Sequence, residues 1–439
     1  MNSLEMQRYE MPAKLFRIRL VMWLLLVSLH LITSFHRVAF NVVADLLTAE
    51  FTLTGAGLGN LAAAYTYMYV LMQIPGGMLV DRLGPRRIAL LTGLAMASGS
   101  IVIALAPSSA WVFIGRLLIG FGGSVVLINI FKFQVSWFKV TEFATLSGFA
   151  VLISSSGALL AATPLALSVS LVGWRGSFLT VGVITVFISF IGWLLIRNNP
   201  GELKLQEKKA YYASPGALPA ESSSAPALRD VLSLFLNRGI LLPFIYNLGT
   251  FGGFFAFSST WGVSYMVHVY GFSVADAASV MLVTHFGYMI GAPSAGLLAD
   301  RLKNLKIPAL ILAICCLLFW LTPTVWPGGL LPGKLMYILA FILGFGGAGS
   351  ILSFPMARKA CPPGYTGSVT AVVNLGAFVG LAILQPLIGY VLDLGWEGLI
   401  VEGARIYPLQ AYRLAFLVTL AFTFVSFSAA LIYREKKQV

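Results

Sequence analysis

The chain has 439 residues, of which 58% are hydrophobic and only 10% charged, with a mean hydropathy of +0.88. A soluble globular domain carries roughly a quarter charged residues, so this composition excludes a water-covered surface and points to lipid as the solvent. Lys and Arg outnumber Asp and Glu by 29 to 16, for a net charge of +13, which would suggest a nucleic-acid partner until the charges are placed along the chain.

Taken in chain order, twelve apolar runs are long enough to cross a hydrocarbon core, which takes about 20 helical residues. The first six are 20–47, 55–80, 88–106, 111–136, 143–170 and 176–196. The second six are 239–267, 274–299, 307–324, 333–357, 364–392 and 411–432. The expected fold is an all-α membrane protein of twelve transmembrane helices in two pseudo-symmetric six-helix bundles. The first apolar run is a full span behind a polar start, so a cleavable leader is not expected.

With both termini placed in the cytoplasm, the inner segments collect Arg17, Arg19, Arg82, Arg86, Arg87 and Lys139 in the first half, and Arg301, Lys303, Lys306, Arg358, Lys359 and Arg434 in the second. The outer segments hold only Arg175, Lys334, Arg405 and Arg413. This is the positive-inside pattern. The basic balance therefore reflects topology, and nucleic acid is excluded as a partner. The expected location is a plasma membrane, of the bacterial inner type.

Residues 197–238 change character, with a charged run at 202–209 and a Ser/Ala/Pro-rich piece around 214–227. They read as a cytoplasmic linker between an N-terminal bundle, 1–196, and a C-terminal bundle, 239–439. Internal similarity supports the division. Gly77-x-x-x-Asp81-Arg82 recurs as Gly296-x-x-x-Asp300-Arg301, and Gly120-Phe-Gly-Gly123 recurs as Gly344-Phe-Gly-Gly347. Trp174-Arg175-x-x-Phe178 recurs as Tyr412-Arg413-x-x-Phe416.

These motifs resemble the major facilitator superfamily over essentially the whole chain. The most specific is the loop after the second span, Gly77-x-x-x-Asp81-Arg82-x-Gly84-x-Arg86-Arg87, joined by Arg116-x-x-x-Gly120-x-Gly122 in the fourth. The resemblance implies a secondary transporter that works by alternating access, with this loop and Arg116 as gating residues. Asp81 is the residue able to hold a helix N-terminus or an arginine when the inner side is closed. The glycines would let the second and eleventh spans approach. Lys132 is expected to snorkel to the interface.

An ionisable residue deep in a membrane helix marks function by default, and Arg37 is the clearest here. His30, Ser34, Arg37 and Asn41 recur at helical spacing and form a polar stripe on an otherwise apolar run. No acidic residue sits near the middle of any span; Asp45, Asp276 and Asp393 lie near helix ends. An anionic partner for Arg37 is thus left to the substrate. The segment His36-Arg37-Val38-Ala39-Phe40-Asn41 is similar to the arginine-bearing first helix of the anion:cation symporters and organophosphate antiporters. That resemblance implies a carboxylate- or phosphate-bearing solute. The chain departs from those families in having no charged residue in the seventh span, Gln73 where a basic residue stands, and His36 and Gly123 where acids stand. These departures speak against paired-arginine phosphate recognition and against proton coupling through carboxylates. The full set of expected substrate contacts is Arg37, His30, His36, Asn41, Tyr65, Tyr69, Gln73, Trp261, His285 and Asn374.

The expected function is symport or exchange of a small organic anion by a monomeric carrier, with protons a candidate coupling ion through His30 and His36. Efflux of drugs or neutral solutes is the alternative, and a non-transporting membrane scaffold is the third class. Gly157 and Ala161–Pro164 are only a degenerate form of the span-five motif of drug antiporters. Three cysteines and four scattered histidines give neither a disulfide framework nor a metal-ligand spacing, and no phosphate loop or nucleophile triad is visible. An enzyme, a cofactor and a bound metal are not expected.

Overall fold

The computed structural model describes residues 13–138, 140–199, 202, 233–327, 330–361 and 366–434. Most of the expected linker, with Lys204, Lys208, Lys209 and Arg229, lies outside the described residues.

The first half comprises α1 (Ala13–Phe51), α2 (Gly55–Leu71), α3 (Gln73–Ala104), α4 (Ser109–Trp137), α5 (Val140–Leu160) and α6 (Thr163–Leu195). The second comprises α7 (Arg238–Ala256), α8 (Gly262–Tyr270), α9 (Val274–Leu302), α10 (Lys306–Val325), α11 (Gly333–Gly347), α12 (Ser353–Arg358), α13 (Thr366–Leu394) and α14 (Leu409–Ile432). A two-residue ribbon, β1 (Ile400–Val401) with β2 (Ala404–Arg405), sits between the last two helices.

Helix boundaries differ from the apolar runs for identifiable reasons. The second and fifth spans are each broken once, after Leu71 and after Leu160. Pro75 and Pro164 stand four residues beyond these breaks, where the ring removes a helical hydrogen bond and crowds that carbonyl. The second and third spans are then joined inside α3 by Gly84 alone, at φ +72° and ψ 164°, a conformation open essentially to glycine. A Cβ there would also stand 2.6 Å from Asn198 Oδ1. The seventh span is continuous from α7 to α8 through one π turn at Phe257–Trp261.

Contacts sort the helix ends into two sets. Arg19 pairs with Glu142 at 2.8 Å, Arg86 N–H donates to Asn198, and Trp137 donates to the Arg197 carbonyl. In the second half Asn237 meets the Ala360 carbonyl and Lys306 meets the Leu431 carbonyl. These residues mark the basic end. Glu50, Arg175 and the Ala106 carbonyl meet at the opposite end, where Asp393 and Arg405 also lie, 3.3 Å apart. The positive charges are thus segregated in space as well as in sequence.

The two halves repeat one another in packing. Cβ atoms on Gly120 and Gly344 would overlap the carbonyls of Tyr65 and Thr284, which occupy corresponding helices. Gly122 and Gly346 likewise approach the Thr92 and Leu312 carbonyls, and Gly123 and Gly347 approach Thr33 and Phe254. Each glycine cluster therefore seats its helix on three neighbours of its own half, the close packing that membrane bundles use. Large apolar side chains remain exposed along the outer faces, including Phe187, Phe190, Ile191, Ile311, Leu318 and Phe424. With ten helices among the described residues each long and apolar enough to cross a bilayer, this face meets lipid.

Candidate functional site

Arg37 projects from the middle of α1 toward the second half. Its Cζ lies 5.4 Å from the ring centroids of both Phe255 in α7 and Phe378 in α13, within cation–π range. Tyr65, Tyr69 and Tyr288 lie within electrostatic reach of the guanidinium, as do His30 and His285. Among the described residues no carboxylate lies within ion-pair distance of it. Arg37 Nε, Tyr65 Oη, His30 Nδ1 and His285 Nε2 are buried without a hydrogen-bond partner. Buried polar atoms are nearly always paired; unpartnered ones also lie at Trp23, His36, Tyr265 and Trp320, and these four are set apart by lying around one cation.

The helical register decides which predicted residues join this cluster. His30 and Arg37, seven residues apart, share a face of α1. His36 is rotated by about 100° from Arg37, and its ring packs against Phe35 and Phe178 inside the first half. It does not line the site with Arg37, contrary to the expectation. Ser34 bonds Ser154 at 2.6 Å and ties α1 to α5. Asn41 is engaged elsewhere: its amide donates to the Ser258 carbonyl at 2.9 Å and accepts from Val263 N–H. It grips the π turn of the seventh span. Trp261 is 1% exposed and donates to the Gln385 carbonyl, so it too packs away from Arg37. Tyr69 stacks on Phe378 at 3.9 Å, and Gln73 accepts from Asn374 at 3.3 Å.

Hydrogen bonds between the halves run from the Asp393 end down to that Gln73–Asn374 pair; none between described residues lies beyond it toward the basic end. Asp393 accepts the N–H groups of Gly55 and Ala56 at 2.7 and 2.8 Å, capping α2 from the other half. Tyr407 also donates to it; burial, with this carboxylate beside it, raises the phenol above its ordinary range, so it stays a donor. Asp45 accepts from Ser264 at 2.6 Å and lies 3.4 Å from His268 Nε2. Asp45 is thus committed to the seventh span and not to Arg37.

The loop motif takes a form the sequence did not predict. Asp81 meets Lys132 of its own half at 2.7 Å, where a helix N-terminus or an arginine was expected. Both groups are exposed, and such a pair contributes at most about 1 kcal/mol. Arg86 donates to the Trp193 carbonyl, while Arg82 and Arg87 are exposed. A Cβ on Gly77 would meet nothing within 4 Å, so this glycine does not bring the second and eleventh spans together; their close approach lies at the other end. Arg116 donates to the carbonyls of Leu61, Ala62 and His36. It staples α4 to α1 and α2 within one half. Arg116→Leu is expected to remove the three charge-assisted bonds that tie α4 to α1 and α2, so the thermal midpoint in detergent should fall by several degrees. An unchanged midpoint would remove the stapling role.

A helical bundle with a lipid-facing belt, a glycine-packed repeat and a central cation without a carboxylate partner among the described residues defines a membrane carrier. The model of the Major Facilitator Superfamily matches residues 26–384, and the chain belongs to that family. It is an integral multi-pass membrane transporter and not an enzyme. Among its relatives is a protein named "Probable L-galactonate transporter" from Escherichia coli (strain K12), 25% identical over 86% of this chain and 84% of its own length. Another is named "Probable sulfoacetate transporter SauU", from Cupriavidus necator, 23% identical over 83% of this chain and 85% of its own. The fold is similar to that of a bacterial homologue of the human lysosomal transporter Spinster, with a TM-score of 0.71, 16% identity, and coverage of 94% and 96% of the two chains.

Proposed function

We propose that the protein is a secondary carrier of a small organic anion, with Arg37 holding the carboxylate or other acidic group. The observation that carries this reading is the part-buried guanidinium of Arg37, which has no carboxylate partner among the described residues and has unpartnered polar atoms beside it. A charge-assisted, bidentate bond from an anion satisfies the planar fork as no neutral solute can. Relatives named for L-galactonate and sulfoacetate support the class. The test is counterflow in proteoliposomes with a panel of carboxylates, sulfonates and their neutral amides. Exchange confined to the acids is the expected outcome; exchange of amides at equal rate favours the neutral-solute alternative.

The cycle we propose is alternating access by rocking of the two six-helix halves, 1–196 and 239–439, on the linker between them. The segregation of Arg and Lys supports a cytoplasmic basic end and cytoplasmic termini. On that orientation the bonds between the halves at Asn41, Asp45 and Asp393 lie at the outer end, which supports an inward-facing reading of this conformation. Asp81→Asn is expected to leave stability within about 1 kcal/mol and to raise labelling of a cysteine at Asn374 by an impermeant thiol reagent from the cytoplasmic side. Unchanged labelling would confine the loop to topology.

A further inference from the structure

Resting on the reading that Arg37 receives an anion, we propose that the solute is a monocarboxylate with a flat, apolar body, an aromatic or similarly unsaturated acid, rather than a polyhydroxylated acid or a dicarboxylate. Three independent features of the site lead to this.

The first is charge. Among the described residues Arg37 is the one permanent cation facing the cluster, because Arg116 is consumed by three carbonyls and Lys132 pairs with Asp81 far toward the basic end. A second carboxylate would be taken from water with no cation to meet it. The second is the polar inventory. A hydroxylated chain needs a partner for each hydroxyl it buries. The nearby amides each spend at least one bond on the protein, Gln73 with Asn374, Gln385 with Thr260, and Asn41 with the seventh span, which thins the partners left for hydroxyls. Beside the guanidinium, where an acidic group goes, His30 Nδ1 and His285 Nε2 are buried without a partner.

The third is the wall. Phe255 and Phe378 flank the guanidinium at equal distance. Behind them Tyr69 stacks on Phe378 at 3.9 Å, Phe251 lies 4.3 Å from Phe255, and Phe254 stacks on Tyr288 at 5.0 Å. These rings come from both halves and offer faces and edges to a planar body next to the one charge. Aromatic neighbours of this kind add roughly 0.5–1.5 kcal/mol beyond buried area, which converts to about a 2- to 12-fold effect on Kd per lost ring.

The experiment is equilibrium binding to the purified full chain in detergent, using phenylacetate, phenylacetamide, L-galactonate and glucarate as probes. Phenylacetate is expected to bind at least tenfold more tightly than the other three. Phe255→Leu should weaken it severalfold, Phe255→Tyr should restore it, and Arg37→Gln should abolish it. Tighter binding of galactonate or glucarate that is lost in Arg37→Gln overturns the flat-body assignment and leaves the anion site standing. Equal binding of phenylacetate and phenylacetamide, insensitive to Arg37→Gln, overturns both. Binding of none of the four, or no effect of Phe255→Leu on phenylacetate, also overturns the assignment.

Discussion

Replacing Arg37 with alanine is expected to abolish uptake while leaving the protein as stable as before, or more so. The two effects have one cause. A part-buried guanidinium set among rings, with no carboxylate among the described residues to pair with it, is costly to hold in a membrane interior, so its removal relieves the resting protein. The same removal takes away a charge-assisted fork worth about 1.5–3 kcal/mol per hydrogen bond, which for two bonds lowers apparent affinity more than about 100-fold. Arg37→Lys keeps the charge but loses the fork and should retain weak transport, about tenfold poorer in affinity. Initial uptake at matched expression, paired with thermal midpoints, checks both halves of the expectation. Full transport by Arg37→Ala sinks the anion reading. Lost transport with a collapsed midpoint makes Arg37 a structural residue.

Gly59→Ala should produce the second large effect, this time on the conformational equilibrium. At the end opposite the basic loops, α2 and α13 pack backbone to backbone. A Cβ on Gly59 would overlap the Gln385 carbonyl and stand 2.7 Å from Pro386 Cα, and one on Gly389 would overlap the Gly55 carbonyl. Neither obstacle is a side chain that can swing aside. Overpacking of this sort costs about 1–3 kcal/mol, charged only to the state in which the two helices touch. The population closed at this end should therefore fall by roughly 5- to 150-fold while each half stays folded. Spin labels at the exposed positions Thr52 and Glu397 read the opening directly. A longer distance in Gly59→Ala than in the parent chain is the expected result, and an unchanged distance rules out the glycine contact as the closing surface.

Much of the fold was legible because a bilayer leaves few alternatives: apolar runs of span length must be helices, and the repeated Gly-Phe-Gly-Gly motif marks helices that sit closely on their neighbours. The points of failure were local. Pro75 and Pro164 break the second and fifth spans at residues that hydropathy alone cannot weigh. Arg37 was legible as an expensive charge, and His30 followed from its spacing. His36 was misread because adjacency in sequence is not adjacency on a helix. Asn41 lay on the right face, but its amide is held by the seventh span. Phe255 and Phe378 were missed entirely, since a phenylalanine beside a cation and one in an ordinary apolar core leave the same mark in a sequence. Asp393 was seen only as a residue near a helix end; that it caps a helix of the other half depends on long-range packing.

The unpaired charge of Arg37 also has an electrical meaning. On the proposed cycle, a site that carries one positive charge when vacant and none when it holds a monoanion presents two different faces to the membrane voltage. Each elementary charge moved across 100 mV is worth about 2.3 kcal/mol. Voltage then acts on the return of the empty carrier and is largely silent on the loaded one, so the potential across the membrane sets how quickly the vacant site is re-presented to the side from which cargo comes.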